Sequence, residues 1–271
     1  MLDQLHDQKE MSFLDHLEEL RKRLFRAMIP VAIMTTVAFV YMDKIFKYVI
    51  VAPAKPDFWT YRMLCKMSAE LCVDKIDFAL QSRTLTGQFT MYMTAAFVTG
   101  FILAFPFVFW QIWKFVQPAL NPNERKNAQG GIFFVSSLFF IGILFGYYIV
   151  SPLSINFLAN FKLDDSIVNQ FDVTSYISML LMMVLGCGLI FQLPVVVYIL
   201  SKLGIVTPGF MRKYRRHAIV VILVVAGILT PSPDVLSQLL VGTPMIILYE
   251  LSIFISAAID RQRRIKLTKT P

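Results

Sequence analysis

Charged residues along this chain are separated by long apolar runs. Residues 84–113, 127–161 and 173–201 contain no Asp, Glu, Lys or Arg, and these stretches are 30, 35 and 29 residues long. A helix that crosses a bilayer needs about 20 consecutive apolar residues. Each stretch therefore predicts one membrane-spanning helix and part of a loop. A further span is predicted near 24–42, and two more follow His217. The expected spans are 24–42, 91–116, 131–151, 175–200, 217–229 and 235–257, within one polytopic membrane domain covering 1–271. None of the runs alternates apolar and polar residues, so a β-barrel is not predicted. The expected fold is an all-α integral membrane bundle of six helices.

The fifth and sixth runs are short. The fifth has 12 apolar residues, about 18 Å of helix, against a hydrocarbon core of about 30 Å. The sixth offers about 14 apolar residues before Glu250. Both are expected as short helices that thin the bilayer or shelter behind partners. Residues 12–24 carry a different pattern. Ser12 and Asp15 open with a capping-box-like spacing. On a helical wheel Phe13, Leu14, Leu17, Leu20 and Leu24 then share one arc. An amphipathic interfacial helix over 12–23 is predicted. Arg21 falls on its apolar side, where a guanidinium calls for a partner such as Glu18, one turn away.

Composition agrees with the pattern. Hydrophobic residues make up 56% of the chain and charged residues 16%, against about 25% charged in soluble domains. The net charge of +8 follows from the distribution of basic residues. If six helices alternate, 18 of the 26 Lys and Arg fall on the side of the termini, and 8 on the other. Positive charge is retained in the cytoplasm, so both termini are expected inside, with anionic lipid as a partner. Nucleic-acid binding is not expected, because the charge is split among four short segments. The first 23 residues lack a continuous apolar core, so no cleavable leader is expected.

The long outer loop, 43–90, holds Cys65 and Cys72. An oxidising periplasm favours a disulfide between them, and with no His nearby they make a poor zinc site. Neither a metal nor a cofactor is expected. Cys187 is expected to pack in helix 4 as a small apolar residue.

Few polar groups fall in the apolar runs. Gln192 precedes Pro194, which frees a backbone carbonyl. Glu250 follows Pro244 and is a functional candidate by virtue of its depth, with a structural hydrogen bond as the equal alternative. Thr230, Asp234 and Gln238 cluster at the outer turn between the last two spans. At the inner boundary Trp110, Trp113 and Lys114 mark the membrane–water interface. Glu124 is the only acid between Asp77 and Asp164.

Four ordered motifs give these residues a context. They are H-L-E-E-L-R-K-R-L at 16–24, the block F-P-x4-Q-x-W-x-F-x2-P-x-L-x3-E-R ending at Arg125, F-Q-L-P at 191–194, and T-P-S-P-D-V-x-S-Q at 230–238. Together they make the chain similar to the TatC family, the multispanning receptor subunit of the twin-arginine protein translocase. The resemblance covers about 12–261. It implies recognition of signal peptides bearing two adjacent arginines at the cytoplasmic face of the bacterial inner membrane. It also implies export of folded proteins, driven by the protonmotive force. TatA-type single-helix partners are implied, a separate TatB-type partner is left open, and a homo-oligomer is expected in the receptor complex.

By this resemblance Glu19 and Glu124 match the carboxylates that receive the arginine pair. Arg21 matches the motif's basic position, and Phe115 and Pro53 match positions tied to recognition and to the outer loop. Thr230, Gln238 and Asp234 match the partner-helix site, with Gln192 and Glu250 as intramembrane polar positions. Some members carry a glutamate where Gln192 stands, so a protonatable group is missing there. A small-solute secondary transporter is the alternative. It predicts internal repeats and mid-membrane acids, and the chain shows no clear repeat and only Glu250. No H-E-x-x-H or G-x-S-x-G motif supports an intramembrane enzyme.

Overall fold

In the computed structural model, the described residues are 13–67, 79–116, 128–162, 164, 169–230 and 235–269. Five helical stretches are long and apolar enough to cross a membrane: Glu18–Val40, Gly87–Phe115, Gly131–Asn160, Val173–Lys202 and Gln238–Gln262.

Helix α1 runs unbroken over Phe13–Val40. The amphipathic segment and the first span expected as separate pieces are thus one helix. Nothing between residues 20 and 26 breaks it, since Leu, Arg and Lys are all good helix formers. Pro30 lies inside it. A short α2 (Met42–Ile45), a π turn and the 3-10 turn Ala52–Ala54 lead to α3 (Trp59–Met67) between the first two spans. Strand β1 (Ala79–Gln81) then precedes α4 (Gly87–Val116).

Helices α1 and α4 run antiparallel against each other along most of their length. Gly100 makes this possible: a Cβ there would sit 2.5 Å from the Thr35 backbone. Where lipid removes the hydrophobic drive between helices, small residues that allow close backbone approach hold them together.

The third span is α5 (Ala128–Phe145), a π turn over Gly146–Val150, and α6 (Ser151–Asn160). A π turn frees a carbonyl, which in a membrane must find a donor. Here the Gly146 carbonyl accepts twice from Ser151, from its backbone N–H and from its hydroxyl at 2.7 Å. Gly142 and Gly146 let this span ride directly on Cys187 and Gly188 of the next, where added methyls would come within 2.8–3.0 Å. Cys187 is buried and free, as its setting in an apolar run suggests.

Strand β2 (Gln170–Asp172) pairs in parallel with β1, a strap at the end of the bundle where α4 and α7 begin. The fourth span breaks between α7 (Val173–Ile190) and α8 (Leu193–Lys202). Pro194 has no N–H and its ring crowds the carbonyl four residues back, so the chain re-enters a helix at 193. After α9 (Pro208–Lys213) come α10 (Arg215–Leu229) and α11 (Val235–Lys269). Helix α10 has 15 residues, about 22 Å, so it is short for a span. Helix α11 is not short. It has 35 residues and passes through Pro244 and Glu250 without ending. Glu250 stops the apolar run but not the helix, because a Glu keeps good helix propensity. It packs on α8 through the buried Ser252 and Ser256, with Ser201 donating to Ser256 at 2.9 Å.

At the end of the bundle where α1 finishes, side-chain hydroxyls bond to backbone carbonyls of neighbouring elements. The Tyr61 hydroxyl lies 3.1 Å from the Pro53 carbonyl and 2.8 Å from that of Pro152. Tyr176 donates to Ile50, Tyr147 to Val49, and Thr60 to Tyr148. Burial pushes the Tyr61 phenol well above its ordinary pKa, so it stays a donor.

Candidate functional site

At the N-terminal end of α1, carboxylates and cations alternate one turn apart. Glu19 binds Arg23, with Nη2 and Nε both 2.6 Å from Oε1, and the pair is only partly exposed. Glu18 binds Lys22 at 2.8 Å and is open to solvent. Arg21 was expected to look to Glu18, but that carboxylate is taken by Lys22, which follows at the favoured i,i+4 spacing. Arg21 instead sits over the Phe25 ring at 5.8 Å. The guanidinium is accommodated by an aromatic face.

The antiparallel register fixes what faces this end. Gly100 meets Thr35, and Tyr92 donates to the Phe39 carbonyl. Counting outward from Gly100 and Thr35 at about 1.5 Å per residue, Glu19 and Phe115 both lie about 23 Å along. They are level. Lys114 caps the Trp110 ring at 4.0 Å, an interfacial pairing. Trp113, expected beside it at the boundary, is instead buried against Phe109, Val135 and Val195. Phe115 is half-buried. Glu124 and Asp234 lie outside the described residues.

Near the opposite end, Thr230 and Gln238 are not displayed. Thr230 is 2% exposed, and its hydroxyl donates back to Ala226 at 2.8 Å. Gln238 reaches across to the Leu223 carbonyl at 2.9 Å, with Gly227 leaving room for its amide. The Gln238 amide thus ties α11 to α10, while the Thr230 hydroxyl closes the end of its own helix. What α10 shows outward is apolar: Val220, Val221, Val224 and Ile228 are all exposed.

Glu250 contacts Arg215 at the start of α10, Nε to Oε1 at 2.6 Å, while Tyr249 donates to the Met211 carbonyl at 2.9 Å. The Arg215 N–H is not aimed at the carboxylate, so this is a charge contact without an aligned hydrogen bond. Glu250 is therefore tied to the α9–α10 elbow. Gln192 donates to the Val135 carbonyl at 3.3 Å, and its own amide oxygen is buried without a hydrogen-bond partner among the described residues. Pro53 is buried beneath Tyr61. Cys65 is disulfide-bonded, and its expected partner Cys72 lies outside the described residues.

Arg23 and Arg215 are the residues that the sequence motifs did not single out. The E-x-x-x-R spacing was a signal for the first, whereas nothing local points from Arg215 to Glu250, 35 residues on. Among the described residues no three His, Cys, Asp or Glu side chains gather as a metal site would require.

The model of the Sec-independent protein translocase protein (TatC) family matches residues 15–244. A Sec-independent protein translocase protein TatC from Blattabacterium sp. subsp. Periplaneta americana is 37% identical over 265 residues, spanning 95% of this chain and 99% of the relative. TatCy of Bacillus subtilis is 34% identical, over 93% and 91% of the two chains. The crystal structure of a twin-arginine translocase receptor TatC superposes with a TM-score of 0.70 at 30% identity, covering 90% of this chain and 99% of the other. These matches extend over the whole helical bundle, and with them its apolar helices read as those of a bacterial inner-membrane, multi-pass translocase subunit without an enzymatic role. The chain belongs to the TatC family.

Proposed function

We propose that this protein is the receptor of a twin-arginine translocation system, that it binds paired-arginine signal peptides at the end of the bundle where α1 begins, and that Glu19 and Glu124 take the two guanidinium groups. The observation that carries the reading is the arrangement of Glu19. It is a carboxylate at the membrane boundary, level with Phe115, and already holding a guanidinium from its own helix. Arg23 pairs with this carboxylate when no peptide is bound. An incoming arginine replaces a partly exposed i,i+4 pair worth about 0.3–0.5 kcal/mol with a two-pronged bond that an ammonium cannot copy. Two such bonds, at roughly 1.5–3 kcal/mol each, supply a large part of the roughly 8 kcal/mol of micromolar affinity. Phe115 offers an apolar shelf beside the arginines, and Arg21 sets the local charge.

In this reading both termini are cytoplasmic, which the 18-to-8 division of basic residues supports. Helix α10 is the fifth crossing along the chain, short enough to thin the bilayer. A TatA-type single helix docks on its exposed apolar face, while Gln238 holds α11 against α10 and Thr230 closes the end of α10; Asp234 belongs to the same partner-helix site. Substrates are folded proteins, export draws on the protonmotive force, and the receptor assembles as a homo-oligomer in anionic lipid. The test is capture of an arginine-paired signal peptide by photo-crosslinking in membranes. Glu19→Gln and Glu124→Gln should each lower capture, whereas Thr230→Val with Gln238→Leu should release the single-helix partner and spare the peptide. Unchanged capture in both glutamate variants contradicts the assignment.

A further inference from the structure

Three span ends meet around one cavity on the side opposite the N-terminus of α1. Helix α1 stops at Val40, α4 starts at Gly87 and α7 starts at Val173. Between them lies a space of about 450 Å3, within the range of about 300–1,000 Å3 typical of small-ligand sites. Its lining is mixed in polarity: Asp43, Gln81, Ser82 and Gln88 are polar, and Phe46, Leu80, Val173 and Ile177 are apolar. Val173 and Ile177 belong to the fourth apolar stretch, which begins at Val173, so the cavity lies where that stretch starts.

The formal charge on its wall is negative. Asp43 is exposed and makes no ion pair among the described residues. The cations close to it in sequence are engaged elsewhere. Lys44 lies over the Tyr41 ring at 5.8 Å, and Lys47 over Tyr48 at 5.5 Å. Arg83, next to Ser82, donates to the Gln170 carbonyl at 3.2 Å. An anionic headgroup would meet a bare carboxylate here. A group carrying an ammonium would be stabilised by it, and the two amides offer donors to a phosphate, while the Ser82 hydroxyl donates to the Thr84 carbonyl at 3.3 Å.

We propose that this cavity binds the headgroup of a zwitterionic aminophospholipid. The primary ammonium bonds to Asp43, phosphate oxygens accept from the Gln81 and Gln88 amides, and the start of the acyl chains lies on Phe46 and Ile177. A trimethylated headgroup keeps the charge but has no N–H to donate, so phosphatidylcholine binds less well.

The test uses the full chain in nanodiscs of phosphatidylethanolamine, phosphatidylcholine and phosphatidylglycerol in equal parts. Lipids retained after transfer to detergent are counted by native mass spectrometry. Phosphatidylethanolamine should be retained over phosphatidylcholine by about tenfold, as the loss of a charge-assisted bond implies. Asp43→Asn should abolish most of that preference, Gln88→Leu should lower retention of phosphatidylethanolamine and phosphatidylcholine alike, and Asp57→Asn, an exposed acid outside the cavity, should change neither. Both variants alter exposed residues, and an unchanged melting midpoint confirms that each is folded. Soluble phosphoethanolamine should not displace the lipid, because it lacks the apolar half. Equal retention of the three lipids, a preference for phosphatidylglycerol, a preference untouched by Asp43→Asn, or displacement by the soluble headgroup would overturn the proposal.

Discussion

Gly100→Ala tests the packing that brings Glu19 and Phe115 to one level. The added methyl would lie 2.5 Å from both the N and the Cα of Thr35. Ordinary carbon contacts are about 3.5–4.0 Å, so the two backbones must part by about 1 Å. Backbone in mid-helix cannot swing aside as a side-chain tip can. Overpacking of this kind costs about 1–3 kcal/mol. At roughly 2–4 °C per kcal/mol for chains of this size, the midpoint of thermal unfolding in detergent should fall by at least about 2 °C. Two glycines provide controls. A methyl at Gly131 would come no closer than 3.8 Å to the Trp113 ring, and one at Gly209 would meet nothing within 4 Å. Gly131→Ala and Gly209→Ala should therefore leave the midpoint within about 1 °C. Helix α1 has its main partner in α4, so Gly100→Ala should also weaken signal-peptide capture. A Gly100→Ala protein as stable as the two controls would refute the close-crossing argument.

Tyr61→Phe leaves the Pro53 and Pro152 carbonyls without their shared donor. It should cost about 1–3 kcal/mol in chemical unfolding, and no loss would mean that water replaces the phenol. A double-mutant cycle of Arg215→Gln and Glu250→Gln should give a coupling below about 1 kcal/mol, since the arginine is half exposed and the contact is unaligned. A larger value would make Glu250 a buried charge in need of its partner. Asp172 accepts hydrogen bonds from the Thr174 hydroxyl and from the Arg83 backbone N–H, and these hold its carboxyl below the ordinary 3.8. A depressed acid stabilises the fold fully above its unfolded pKa, and that contribution fades as pH falls through the lower folded value. Hydrogen exchange in the β1–β2 strap should therefore quicken below about pH 3.8, and Asp172→Asn should remove that dependence.

Much of this architecture is legible in the sequence because lipid enforces it. A backbone in hydrocarbon must bond to itself, so an uncharged run of 30 residues has little choice but a helix. The break at Gln192 follows from Pro194 by the same logic. The rule reads polarity and not continuity, and this is why it split α1 at residue 24 and ended the last helix too early. A glutamate or arginine ends an apolar run while the hydrogen-bond ladder continues through it. The β1–β2 strap was not legible, since three residues pair with three others some 90 positions away and neither shows alternation. The π turn at Gly146 escaped because it depends on the close passage of Cys187 and Gly188. At the candidate site the motifs pointed to Glu19, and i,i+4 spacing leads from it to Arg23. The burial of Thr230 and Gln238 was hidden, because a polar residue in a turn reads the same whether it faces a partner or its own neighbouring helix.

The central claim is that Glu19 receives a guanidinium from the signal peptide. The direct measurement is a double-mutant cycle between Glu19→Gln in the receptor and Arg→Lys at each position of the peptide's arginine pair, read as binding free energy in native membranes. A coupling of about 1.5–3 kcal/mol to one of the two arginines is predicted. Couplings within about 0.3 kcal/mol of zero at both positions would contradict it, because the carboxylate and the arginines would then act independently.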